Sequence, residues 1–202
     1  MASIFERIKK NPNFLKGITP RTKESMQWFE RKLRSMVVSR PQLIRSPELR
    51  QRSQLIVNRQ LIGTMHMFKY DPAGKYELPY FDEFPLVIIV GPAKGGFKAI
   101  NLHYLPPIMR IRFLDILYTE ISGEDFTEDT RFIAFWNRLN KGLKKRYLRP
   151  MIRTYLLSQI EGRVAQVFPE EWEIAAFLPF QDFERKNKQF IWRNSMRMIR
   201  EN

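Results

Sequence analysis

The stretch Tyr76–Val90, YELPYFDEFPLVIIV, sets three aromatic residues and two carboxylates between two prolines and then runs into an uninterrupted aliphatic segment. Pro79 and Pro85 each lack a backbone donor and hold φ near the extended range, so the residues between them read as a rigid connection rather than an interior strand. Leu86–Val90 reads as a short buried strand. Tyr80, Phe81 and Phe84 then pack the connection onto the strand's unit or offer an apolar docking point, and Asp82 is placed to accept hydrogen bonds from its own turn.

The same character extends on both sides. Upstream, LIGTMHMFKY alternates, with Met65 and Met67 on one side and Thr64, His66, Phe68 and Tyr70 on the other, so a strand covered on both faces is expected. DPAGK supplies a turn through Asp71, Pro72 and Gly74. Downstream, GPAKGG reads as a hairpin turn, because it lacks the spacing of a phosphate loop and leads into a strand, FKAINLHYL, instead of a helix. Pro106 and Pro107 end that strand.

The flanks have helical spacing. Thr19-Pro20 opens a helix whose apolar face carries Met26, Phe29, Leu33, Met36 and Val37, and whose other face carries Lys23, Arg31, Lys32 and Arg34. After residue 108 come IMRIRFLDILYTEI, then a helix with Phe132, Phe135, Trp136, Leu139 and Leu143 opposite Arg138, Lys141, Lys144 and Lys145, with Arg149 just beyond. MIRTYLLSQIE reads as a further helix capped at Gly162, VAQVF as an edge strand, PEEWEIAAFL as a helix, and KNKQFIWRNSMRMIREN as a terminal helix. The expected fold is α+β: a basic helical extension over 1–60, a small SH3-like β-barrel over 61–107, and a helical part over 108–202 packing on it, so that amphipathic helices flank the barrel at both ends.

Charge and composition limit the chemistry. The 202 residues carry 35 Lys and Arg against 21 Asp and Glu, a formal charge of +14, and no cysteine, so disulfides and zinc-thiolate sites are excluded. The excess lies in the first 60 residues at +10 and the last 95 at +4, with none between. No run approaches the ~20 apolar residues of a membrane span, and the charged N-terminus does not read as a signal segment, so a protein without membrane contact is expected. His66 and His103, the two histidines, read as hydrogen-bonded fillers of strands, and Asp71, Glu77, Asp82 and Glu83 as turn residues. A basic, acid-free stretch such as RLNKGLKKRYLR can follow a phosphate backbone by releasing counterions. Lys23, Arg31, Lys32, Arg34, Arg138, Lys141, Lys144, Lys145 and Arg149 are therefore the expected contacts to DNA or to an acidic partner, and Tyr80, Phe81 and Phe84 the expected protein-docking residues. Without a DNA-reading motif, contact with DNA would be independent of sequence.

Tyr70, Asp71, Leu78, Pro79, Tyr80, Asp82, Phe84, Pro85, Leu86 and Val87, followed by Gly96, Phe97, Asn101, His103, Tyr104, Leu105 and Pro106, resemble the recurring pattern of a virion protein family of T4-like tailed bacteriophages. Members of that family carry the labels DNA end protector or virion structural protein. Phe81 stands where the pattern favours tyrosine, and Ala73-Gly74 alters its usual turn. The resemblance implies a non-enzymatic, cofactor-free component of a phage particle. Such a component would sit in the neck or tail assembly, in several symmetric copies, among other virion structural proteins and against packaged DNA. Two alternatives stand beside it: a baseplate or tail subunit with protein contacts alone, and a toxin-like endoribonuclease on an SH3-like barrel, which would use Asp82 or His103.

Overall fold

The computed structural model describes residues 62–121, 148–168, 171–177 and 181–201, with the isolated helical positions 27, 30 and 31. In chain order the elements are β1 (Met65–Tyr70), β2 (Phe81–Asp82), β3 (Leu86–Ala93), β4 (Gly96–Asn101), a 3-10 turn (Leu102–Tyr104), α1 (Pro107–Ile121), β5 (Ile152–Leu156), a second 3-10 turn (Leu157–Gln159), β6 (Ile160–Val167), α2 (Trp172–Phe177), β7 (Phe183–Glu184) and α3 (Lys188–Arg200). No helix among the described residues is long and apolar enough to cross a membrane.

Five strands form one antiparallel sheet in the order β5-β4-β3-β1-β6. Period-two alternation explains why both faces are dry. Met65 and Met67 of β1, Leu86, Ile88 and Val90 of β3, and Ile100 of β4 join the larger core with Ile111, Leu114 and Leu117 of α1, Ala175 of α2 and Ile191 of α3. Their neighbours Phe68, Tyr70, Val87, Ile89, Phe97 and Ala99 meet Tyr155 of β5 on the opposite face.

The chain does not close the barrel expected over 61–107. It makes an open sheet whose edges are β5 and β6, both from beyond residue 107. The sheet is nonetheless strongly curled. In a flat sheet, strands three places apart lie roughly 14 Å from each other, yet the Tyr70 and Tyr155 rings are centred 4.9 Å apart and those of Phe68 and Tyr155 5.3 Å apart. The amide of Leu156 donates to the Tyr70 hydroxyl at 3.3 Å. Edge-to-face aromatic packing therefore draws the sheet round, and a three-residue 3-10 turn suffices to carry the chain from β5 to β6.

Three local expectations change. MIRTYLLSQIE is not a helix: Arg153 and Tyr155 pair with Ala99 and Phe97, so the segment extends the open edge of β4, and Gly162 lies within β6 at φ 72° rather than capping a helix. The aliphatic strand β3 runs on through Gly91, Pro92 and Ala93, with a register shift between Ile89 and Gly91, so the hairpin turn is only Lys94-Gly95, Gly95 taking the positive φ of 73° that the turn requires. His103 lies in the 3-10 turn, not in a strand. At Gly96 any Cβ would run into the carbonyl oxygen of Tyr155, which is how β5 comes so close.

The opening segment is not a plain connection either. Phe81 and Asp82 form β2 and pair with β7, Phe81 opposite Glu184 and Asp82 opposite Phe183, as a separate two-stranded ribbon. Its neighbour Glu83 accepts from Tyr70 N and donates its amide to Asp182 O, which ties the ribbon to β1 and to the entry of α3.

Candidate nucleic-acid interface

Asp82 is the centre of a buried polar knot. Its Oδ2 accepts from His103 Nδ1 at 2.7 Å and from Asn101 Nδ2 at 2.9 Å, and its Oδ1 accepts from the amide of Phe84 at 3.2 Å. Asn101 Nδ2 also lies 2.9 Å from the Tyr155 hydroxyl, and Asn101 Oδ1 accepts from His103 N. The His103 carbonyl in turn accepts from Trp192 Nε1 of α3 at 2.9 Å. Asp82 and His103 stand at ion-pair distance, but the desolvation of a fully buried ring outweighs the nearby carboxylate and holds the His103 pKa below the usual range. The pair is accordingly a neutral imidazole donating to a carboxylate. Burial also pushes the Tyr155 hydroxyl well up.

Next to the knot, Arg110 of α1 is 1% exposed and donates to three carbonyls, those of Leu102, Leu105 and Ala176. Burial lowers its pKa to about 10, so it remains charged at neutral pH. A buried guanidinium on α1, satisfied by backbone carbonyls of the 3-10 turn with its cap and of α2, acts as a clamp between these three elements. Asp82, Asn101 and His103 lie in the very stretches that carry the phage-family resemblance, and their evident work is internal.

The arrangement meets part of the geometry of an acid-base pair and none of its access. Asp82 is 3% exposed and His103 is fully buried. The other carboxylates do not converge with them: Asp71 holds Lys75 at 3.0 Å, while Glu83, its carboxyl raised first by burial and then by Glu184, belongs to the rim of the ribbon. Among the described residues no group of three or more His, Cys, Asp or Glu side chains could hold a metal ion.

Of the basic residues expected to meet DNA or an acidic partner, Arg31 is exposed on a helix and Arg149 is exposed in the turn before β5. Lys23, Lys32, Arg34, Arg138, Lys141, Lys144 and Lys145 lie outside the described residues. The aromatics of the opening segment pack inward, the first of the two roles expected of them. Phe81 is 9% exposed, and Tyr80 and Phe84 are half-buried against the larger core, the Tyr80 ring packing at 6.0 Å from that of Tyr104.

A different cationic surface takes shape on α3. Asn187 caps the helix, its side chain accepting from Phe190 N at 2.9 Å, and Ile191 and Ser195 turn inward while Trp192 reaches the polar knot. The outward side carries Phe190, Arg193, Arg197 and Arg200, which at 100° per residue span about 80° of arc, all four exposed. Lys186, before the cap, places its ammonium 5.3 Å from the centre of the Phe190 ring. The signal was present in the sequence: residues 185–200 contain six basic residues and no acid. Only the choice of buried face makes three of the arginines a single stripe.

The family model described as Phage T4 terminal DNA protecting protein matches residues 3–198 of the chain. Neither a curated protein nor a solved structure matches it.

Proposed function

Because the chain belongs to the phage T4 terminal DNA protecting protein family, whose model spans residues 3–198, we propose that it binds the ends of linear duplex DNA and shields them, as a stoichiometric, non-enzymatic component of a phage particle. The family match is the observation that carries this reading. The formal charge of +14 supports it, since a protein that neutralises phosphates with Lys and Arg gains affinity by releasing counterions whatever the base sequence. Binding without turnover is supported by the burial of Asp82 and His103, the acid and base that an endoribonuclease reading would require, which leaves no route for a scissile phosphate to reach them. We place the protein at the neck or tail of the particle, in several copies among other virion structural proteins, where a packaged DNA end would be held.

The test compares linear and covalently closed circular duplex of one sequence. The linear form is expected to bind tightly at about 50 mM salt, to lose affinity steeply as salt rises, and to resist exonuclease when the protein is in excess. Absence of binding to linear duplex under these conditions would overturn the reading. Mass spectrometry of purified particles should detect the chain, and its absence there would remove the neck or tail placement while leaving the DNA activity to stand or fall separately.

A further inference from the structure

End binding requires a surface that receives the DNA and a feature that distinguishes an end from the middle of a duplex. We infer, on the premise of end binding, that the outward stripe of α3 follows the phosphates of one strand while Tyr76, in the adjoining turn, stacks on the exposed face of the terminal base pair.

Two observations join the stripe to the turn. Arg185 donates from one guanidinium nitrogen to the carbonyls of Tyr76 at 3.0 Å and Leu78 at 2.8 Å, and does so from a left-handed backbone, φ 69°, that a non-glycine residue rarely adopts. Asn194 then faces both ways: its Oδ1 accepts from Arg197 at 3.1 Å, and its Nδ2 donates to the Tyr80 hydroxyl at 3.2 Å. The turn is consequently held along the Phe190 and Arg197 side of the stripe. Backbone bonds from Lys75 to Pro72, and from Glu77 and Leu78 to Gly74, tighten it internally.

The held turn presents apolar surface instead of hiding it. Tyr76 is 81% exposed and Leu78 37% exposed, and Phe190 beside Lys186 is 47% exposed. Aromatic rings fixed next to cations suit the end of a duplex, where one flat base-pair face is open to stacking and the phosphates begin immediately behind it. From Arg193 to Arg200 the helix rises about 10 Å, the rise of about three base pairs. Glu77 in the turn, Asp182 and Glu184 before Arg185, and Glu201 after Arg200 flank the stripe, and none interrupts it. A continuous cationic line with an aromatic at one end fits an anionic rod with an apolar terminus better than it fits an apolar protein groove.

The experiment measures binding of the full chain to a short fluorescent duplex with open ends and to the same duplex closed by hairpin loops. The combined variant Arg193→Gln, Arg197→Gln and Arg200→Gln, all at exposed positions, is expected to weaken binding to both DNAs by tenfold or more, and to make the dependence of log affinity on log salt shallower by about three. Tyr76→Ala should weaken the open duplex about tenfold and leave the closed one unchanged. Lys188→Gln, which removes a cation placed over Trp192 away from the stripe, should change neither. If the wild-type chain binds no DNA, the end-binding function fails and takes this surface with it. If the wild type binds and the triple variant binds equally well, the surface is wrong while the function stands; a triple variant that keeps DNA binding but is lost from assembled particles assigns the stripe to a protein neighbour instead. Equal loss on both duplexes for Tyr76→Ala overturns the stacking role.

Discussion

His66 is 7% exposed in β1, with Nε2 2.7 Å from Thr64 Oγ1, and burial draws its pKa from 6.5 down to about 4. The unfolded chain takes up a proton on this ring near pH 6.5, whereas the folded chain resists until about pH 4. Between those values the unfolded state binds more protons, so stability rises with pH and is fully present only above the unfolded value. Acidification from pH 6.5 to 4 is expected to remove at most roughly 3 kcal/mol through this group, and His103, shifted in the same direction, adds to the loss. Urea unfolding across this range should show a falling midpoint, and His66→Gln should flatten the slope; an unchanged slope would mean that His66 is not buried neutral. That both histidines are structural was legible from their place in apolar stretches. The Asp82–His103 bond was not, because its partners stand 21 residues apart and meet only when β2 folds over the end of β4.

Helix α3 was legible as an element and not as a surface. Its start follows from Asn187, whose side chain satisfies the amide of Phe190. Asn187→Ala should cost about 1 kcal/mol and Asn187→Asp much less, as read from urea midpoints; a null effect of the alanine would show that docking of Trp192 and Ile191 alone sets the helix start. By contrast, MIRTYLLSQIE satisfies a helical template as readily as a strand, since short apolar runs are ambiguous in period. What settled it was the unpaired edge of β4, where Thr154 and Tyr155 find Lys98 and Phe97. Long-range backbone pairing overrode a local preference worth only tenths of a kcal/mol per residue.

Taken whole, the molecule builds its sheet from two distant parts of the chain. A fragment of residues 61–107 keeps β1, β3 and β4 but loses β6 from one side and β5 from the other, together with Tyr155, which packs against Phe68, Tyr70 and Phe97. Such a fragment is expected to be unfolded, with collapsed amide dispersion in its proton spectrum and little strand signal by circular dichroism. A dispersed, cooperatively melting fragment would show that the curled sheet needs no help from residues 152–167. The same topology decides which basic residues share a surface: the long basic runs are conspicuous in sequence, whereas the stripe of Arg193, Arg197 and Arg200 depends on which side α3 turns toward the larger core.

Properties that depend on neighbours in the chain could be read directly. The absence of cysteine, the charge of +14, the two-sided burial of β1 and β3, the hairpin at Lys94-Gly95 and the existence of α3 all follow from composition, period or turn chemistry. Properties that depend on partners brought from afar could not. The open, curled sheet, the neutral His103 beside Asp82, and the joining of the Tyr76 turn to the α3 stripe through Arg185 and Asn194 arise from contacts across 19 to 114 residues. Periodicity states which side chains share a face; only packing states whether that face meets protein or water, because burial is a property of the assembled surfaces and not of the segment that contributes to them.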